Sequence, residues 1–373
     1  MSEKVRDMRI TFVLPNNSIS GGVKVVFEAA GELTKRGHEI TVVYPVELGL
    51  PATSMLNETR AWLRWGKFYW AGPLDASSPW THTDIRLQCV PSLNSQFIPK
   101  ADVVVATSWQ TAYWVARYPR NKGRRFYLVQ GYETWGKDPT LAEASYRLPL
   151  KKIVVSSWLK SALERLSERA SGPLVPGVRF EEYYVSRNGA THAPTIGMLY
   201  NGLELKGLED GLQAVANAAD KHSNFHLVMF GQGDSLRRQA TLDFPCPTTI
   251  YSNPSQEQVR RAYASSDIWL CPSRIEGGPP LPSQEAVASG CALVTTDVGA
   301  ARDCFIDGED ALIVPPRDIA ALTRAVLRVL ENPSLRQQLA RRGQERIKQW
   351  TWERFAQGLE GMLQERDDHA HRD

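Results

Sequence analysis

Disulfide chemistry, a membrane span and a dominant charge are all missing from this sequence. The five cysteines (Cys89, Cys246, Cys271, Cys291 and Cys304) are odd in number, scattered and without a CxxC pair. That excludes a disulfide scaffold or a zinc ribbon and sets a reducing compartment as the expectation. No apolar run approaches the ~20 residues of a spanning helix. The opening Met1–Arg9 is polar and lacks the apolar stretch of a signal peptide, so a cytoplasmic location is expected. Lys and Arg number 44 against 41 Asp and Glu, a net charge of +3. That balance gives no electrostatic case for a nucleic-acid partner. No cluster of Asp, His or Cys has ligand spacing, so neither a metal nor another cofactor is expected.

What remains is ordinary globular material of some size. A chain of 373 residues suggests two domains at ~100–200 residues each. The content of Trp 11, Tyr 12 and Phe 11 excludes wholesale disorder.

Hydrophobic patterning alternates strand and helix twice. In the first block, Arg9–Leu14 reads as a buried strand, Val23–Lys35 as a helix stopped by Gly37, and Glu39–Tyr44 as the next strand, which is a βαβ unit. Strands are expected at Asp102–Thr107, Arg125–Gln130 and Lys152–Val155. Helices are expected at Thr111–Arg117 and, from a serine cap, Ser157–Arg169. A Pro/Gly-rich stretch, Ser171–Pro194, marks a linker. The second block runs from the strand Thr195–Leu199 through Phe225–Phe230, Thr248–Tyr251, Ile268–Cys271, Ala292–Thr296 and Ala311–Val314. Its helices are Leu208–His222, Gln256–Ala264, Ser283–Ser289 and Ile319–Leu330, the last capped by Asp318. Helical stretches Pro333–Trp350 and Trp352–Gln364 finish the chain. The expected domains are 1–190, 191–350, and a terminal helix at 351–373 that packs back on the first. Two open parallel sheets bind ligands beyond the carboxyl ends of their strands, which puts the expected site in the cleft between domains.

Four constellations carry possible chemistry. Ser20-Gly21-Gly22-Val23 lies between strand and helix; it reads equally as a phosphate approach at a helix N-terminus or as a tight turn. Gly231-Gln232-Gly233 follows a strand but meets Leu236 where a dinucleotide fingerprint needs a third glycine, which disfavours a nicotinamide enzyme. The run Pro272-Ser273-Arg274-Ile275-Glu276-Gly277-Gly278-Pro279-Pro280-Leu281-Pro282-Ser283-Gln284-Glu285 supplies two carboxylates suited to sugar or ribose hydroxyls, bare glycine amides and an arginine. Lys206, just before a helix, is either a diphosphate counter-charge or a surface lysine.

Together these residues resemble a family-four retaining glycosyltransferase of the GT-B architecture, of the bacterial surface-polysaccharide type. The likeness rests on Gly21–Val43, Val175-Pro176-Gly177-Val178, Leu205-Lys206-Gly207-Leu208, and a run from Ser266-Asp267 through Glu276-Gly277, Glu285-Ala286 and Asp297-Val298-Gly299 to Asp318. It implies an α/β protein of two Rossmann-like, doubly wound parallel-sheet domains. It also implies metal-independent transfer of a sugar, with retention, from a nucleotide-sugar donor to a glycan or lipid-linked acceptor hydroxyl. Carried over, Glu276 and Lys206 are the catalytic pair, and Gly22, Lys206, Glu276, Gly277, Gly278 and Glu285 hold the donor. Gly231 and Gly233, as a loop near the phosphates, and Arg274, in place of the family's arginine, are expected to join the donor site, and Trp109 and Gln110, where the family has a histidine, are expected to meet the acceptor. Three departures stand out. Met198 replaces the family's arginine, eight residues rather than seven separate Glu276 from Glu285, and Thr107–Thr111 has no histidine. His38 is expected to be structural. These departures leave a second reading, a non-catalytic sugar-nucleotide-binding or partner-binding subunit.

Trp62, Trp65 and Tyr69 repeat at helical spacing with Arg60, Arg64 and Lys67 between them. Such a stripe fills a core first. Otherwise it is a surface that touches the inner membrane face or grips a lipid-linked acceptor.

Overall fold

The structure, a computed structural model, describes residues 7–18, 20–51, 85–136, 138–186, 193–232 and 244–365. Gly233, the aromatic stripe at 60–70 and the tail beyond 365 lie outside the described residues. The chain divides into two compact units, Met1–Leu174 with Trp352–Asp373, and Val175–Thr351.

The first unit holds β1 (Arg9–Val13), β2 (Glu39–Pro45), β3 (Arg86–Val90), β4 (Val103–Ala106), β5 (Arg124–Val129), β6 (Lys151–Val154) and β7 (Ala170–Ser171). They form one sheet in the order β3-β2-β1-β4-β5-β6-β7, every pair parallel. The second unit holds β8 (Thr195–Tyr200), β9 (His226–Gly231), β10 (Thr248–Ser252), β11 (Ile268–Cys271), β12 (Ala292–Thr296) and β13 (Ala311–Val314). Their order is β10-β9-β8-β11-β12-β13, again all parallel. Both sheets are doubly wound and Rossmann-like, the fold class expected above. The central strands β1, β4, β11 and β12 are buried along their length apart from Arg9 and mostly apolar, as a sheet covered on both faces requires.

In each unit the chain starts in the middle of its sheet, winds outward, then returns to lay a later strand beside the first. The reversal falls between β1 and β4, and between β8 and β11. Loops leaving the two strands diverge there and open a crevice at their carboxyl ends.

The division between units falls at Leu174–Val175, upstream of residue 190. The reason is packing. Val175, Val178 and Tyr183 join a cluster with Tyr263, Trp269, Ala286 and Leu293 of the second unit. A short helix, Phe180–Tyr183, breaks the expected linker. The closing helix Trp352–Gln364 packs on helix Gly21–Lys35 of the first unit. Its buried Glu360 accepts from Arg36 and meets His38 Nε2 at 2.7 Å. Met8 N–H donates to His38 Nδ1 at 3.1 Å, so Nε2 carries the ring proton and donates to Glu360. His38 thus has the structural part expected of it.

Candidate functional site

In the second unit, the loops at the reversal are stitched together by their backbones. The N–H groups of Arg274 and Ile275, after β11, donate to Leu205 O, after β8, at 2.7 and 3.2 Å. Gly207 makes this approach possible. Its φ is +63°, and a Cβ there would fall 2.0 Å from Pro272 O. The stitching brings together two side chains that are 70 residues apart in sequence. Lys206 Nζ donates to Glu276 Oε1 at 2.6 Å, and Ser273 Oγ donates to the same oxygen at 2.8 Å. Glu276 is mostly covered while a quarter of Lys206 stays exposed. The result is an ammonium anchored at the mouth of the crevice by a carboxylate that is itself oriented by a hydroxyl.

The surrounding loops fix that carboxylate. Gly299, at φ +55°, sits so close that a Cβ would lie 2.5 Å from Gly278 O and 2.9 Å from Glu276 Cβ. Thr296 Oγ1 donates to Ser273 O from the end of β12.

Glu285 lies on helix Leu281–Ala288 and is buried. Tyr263 donates its phenol to Glu285 Oε2 at 2.8 Å. Burial, then the charge of Glu285, pushes the phenol of Tyr183 well above its ordinary range. Beside Glu285, Ser283 Oγ and Gln284 Oε1 are buried without a partner. The other end of the Gln284 amide donates from Nε2 to Pro176 O at 2.9 Å, so this side chain is turned to the interior of the unit.

Arg274 departs from the donor role expected of it. Its guanidinium grips Asp210 through two bonds of 2.8 and 2.6 Å and reaches Glu204 at 3.2 Å. The hydrogen bond from Arg274 holds the Asp210 carboxyl below its usual range. With its fork occupied by carboxylates, Arg274 ties the post-β11 loop to helix Leu208–Ala219 and is not presented to a phosphate. Gly231 likewise has an internal reason to be glycine. A Cβ there would lie 2.0 Å from Tyr200 O, so it serves close approach of the ends of β8 and β9. Met198 is buried inside β8 with its sulfur against Gly211; the position where the family has an arginine is here a core position. Gly277 and Gly278 lie in the loop directly after Glu276, Gly277 buried and Gly278 half-buried.

In the first unit, the glycine pair is not a turn. Helix Gly21–Lys35 begins at Gly21 itself, with Ser20 as the cap whose Oγ accepts from Val23 N–H. Neither glycine has a positive φ. Among the described residues, a Cβ on Gly22 would meet the end of the Gln130 side chain, at 3.6 Å, an ordinary contact. None of the described residues of this unit therefore demands glycine at 22. Its N–H lies in the first helical turn, where amides have no acceptor within the helix.

Across the β1–β4 reversal, Thr107 Oγ1 donates to Val13 O at 2.9 Å, and Thr111 Oγ1 accepts from the N–H groups of Thr107 and Ser108, both at 3.0 Å. The hydroxyls of this segment are spent on capping helix Trp109–Val115. Trp109 is buried, its ring edge-on to Tyr113, which departs from the acceptor contact expected of it. Gln110 stays half-exposed. The Trp109 backbone N–H donates to Glu133 Oε2 at 2.8 Å. Glu133, in the loop after β5, was not foreseen; its signal was the one charged residue within Leu128–Trp135, between Tyr132 and Trp135.

Among the described residues, no group of three His, Cys, Asp or Glu side chains is placed to hold a metal ion. No helix there is long and apolar enough to cross a membrane.

Residues 193–332 match the family described as Glycosyl transferases group 1. The O-antigen biosynthesis protein RfbC of Myxococcus xanthus is 28% identical over 263 residues, which is 69% of this chain and 20% of that protein. The glycogen synthase of Mycobacterium tuberculosis is 29% identical over 191 residues, 46% of this chain and 45% of the other. The chain thus spans between a fifth and about half of the length of these relatives. Among solved structures, Anabaena HepE in complex with UDP-glucose superposes with a TM-score of 0.72 at 14% identity, covering 95% of this chain and 99% of HepE. The sucrose-phosphate synthase of Thermosynechococcus elongatus gives 0.71 at 16% identity, covering 96% and 98%. At such identities the likeness is one of fold.

Proposed function

We propose that the protein moves a sugar from a nucleoside diphosphate sugar to a saccharide hydroxyl, as the match of residues 193–332 to the glycosyl transferases group 1 family suggests. The observation that carries this reading is the Lys206–Glu276–Ser273 cluster at the reversal of the second sheet. The bond from the anomeric carbon to the diphosphate breaks with its electron pair leaving on the diphosphate. The main electrostatic task is therefore to receive growing negative charge. Lys206 supplies a point charge, and Glu276 holds it at the crevice mouth while its remaining lone pairs accept donor-sugar hydroxyls. Glu285, steadied by Tyr263, accepts from the ribose. A resident ammonium does what a metal would do, so the transfer is proposed to need none, and to retain anomeric configuration.

The relatives point to the acceptor. RfbC is named for O-antigen, and CapM of Staphylococcus aureus, 23% identical over 208 residues, for capsular polysaccharide. We take a growing surface polysaccharide, free or lipid-linked, as the acceptor class and the cytoplasmic side of the membrane as the place of reaction. The core position of Met198 favours a second reading, a subunit that binds the sugar nucleotide without turning it over.

A panel of nucleoside diphosphate sugars, incubated with and without saccharide acceptors, separates the two. Release of nucleoside diphosphate that rises with acceptor supports transfer. Binding without release supports the second reading. Neither binding nor release contradicts both.

A further inference from the structure

Glu133 stands out in the first unit because nothing above uses it. It follows β5, beside the β1–β4 reversal, in a loop fixed from within. Tyr146, fully buried, donates its phenol to Gly131 O at 2.9 Å and accepts the Glu133 N–H at 2.9 Å. The Trp109 N–H fixes Oε2. Among the described residues no hydrogen bond reaches Oε1. The carboxyl is thus oriented through one oxygen, with the other kept for something else.

The setting is aromatic. Tyr127, Tyr146 and Tyr132 stack in sequence, with centroids 6.0 and 5.2 Å apart, and Trp158 meets Tyr132 edge-on at 6.1 Å. Trp135 lies on Gly131, its ring 2.9 Å from where a Cβ would be, and Glu133 flanks the same glycine. Trp135 and Trp158 are exposed large apolar side chains, Trp135 by 46%. An exposed indole beside an anchored carboxylate suits a sugar: the ring covers an apolar face while the carboxylate accepts from a hydroxyl.

We infer that Glu133 binds the acceptor, its Oε1 receiving a hydrogen bond from a saccharide hydroxyl whose ring rests on Trp135. This rests on the transferase reading above. It assigns the acceptor contact to the loop after β5, in place of the buried Trp109. Burial pushes the Glu133 carboxyl up to about 7, so its ability to accept changes near neutrality. The phenols of Tyr127 and Tyr146 are raised by burial. Tyr132 is turned to Glu143, which Arg147 pairs.

The test is saturation-transfer NMR with n-octyl glucoside, mannoside, galactoside and rhamnoside below micellar concentration, at pH 6 and pH 8. With a carboxyl at about 7, the ionised fraction rises from about a tenth to about nine-tenths over that span. The parent should therefore bind at least one glycoside several-fold more tightly at pH 8. Glu133→Gln should bind weakly and without pH dependence, and Trp135→Ala weakly at both. A merely structural Glu133 would leave the parent's binding flat with pH. Absence of glycoside binding by the parent, or a pH profile unchanged in Glu133→Gln, overturns the inference. Should Glu133→Gln melt early, the parent's pH profile and Trp135→Ala decide. Calorimetry with UDP, GDP, ADP and dTDP on the same proteins keeps the two proposals apart, since failure of all four in the parent counts against the transferase reading and leaves a pH-dependent glycoside site standing.

Discussion

Two glycines at loop-to-helix junctions show how similar residues answer to different physics. Gly207 is required by its own unit, through its left-handed φ and the carbonyl of Pro272 2.0 Å from any Cβ. Gly22 is not required by the described residues around it, where its neighbour is a side-chain amide at contact distance. Gly207→Ala should lose about 1–2 kcal/mol from backbone conformation alone, and more from displacing the 272–276 loop. Gly22→Val should melt within a degree or two of the parent, because valine is no worse than glycine in a helix. It should nevertheless abolish turnover by blocking the open first turn. Denaturant melts beside an activity assay check both, and normal turnover in Gly22→Val would leave that glycine without a function. Glu133 adds a stability signature. Its folded-state proton is held more tightly than in the unfolded chain. Its contribution is therefore present at low pH and lost as pH climbs from about 4.5 to about 7. Urea midpoints of the parent should fall relative to Glu133→Gln across that window, and parallel curves would contradict the burial of this carboxyl.

Among the elements, the closing helix depends most on a single residue. Glu360 is nearly covered and serves both Arg36 and His38. Removing one partner of a buried ionic cluster costs about 3–5 kcal/mol. Arg36 keeps some water access, so the low end, about 3 kcal/mol, is the expected loss for Glu360→Ala, read from urea unfolding. A loss below about 1 kcal/mol would mean the helix is held by its apolar face alone. Several elements were legible to the residue. Ile268–Cys271, Ala292–Thr296, Ala311–Val314 and Trp352–Gln364 are marked by continuous apolar runs or a clear helical stripe. β3, Arg86–Val90, was not, because an edge strand with mostly half-buried residues leaves a weak pattern. Helix Pro139–Ser145 is too short for periodicity to show. Lys206 and Glu276 were each legible as candidates. Their pairing was not, because it depends on β8 lying beside β11, a neighbourhood that topology creates and local sequence does not encode. Arg274 misled for the same reason, since its partner Asp210 arrives from a distant helix.

For the molecule as a whole, two units repeat one topology, and the strand-order reversal of each is tied by side chains, Lys206 with Glu276 in one and Thr107 with the Val13 carbonyl in the other. If Lys206 is the counter-charge to the diphosphate, transfer should survive EDTA, and complete loss restored by manganese or magnesium would oppose that assignment. The most direct measurement is calorimetric titration of UDP and UDP-sugars into the parent and Lys206→Ala. A charge-assisted hydrogen bond is worth about 1.5–3 kcal/mol, so the variant should bind at least about tenfold more weakly while remaining folded at the titration temperature. Equal affinity in the two folded proteins would contradict the site proposed here.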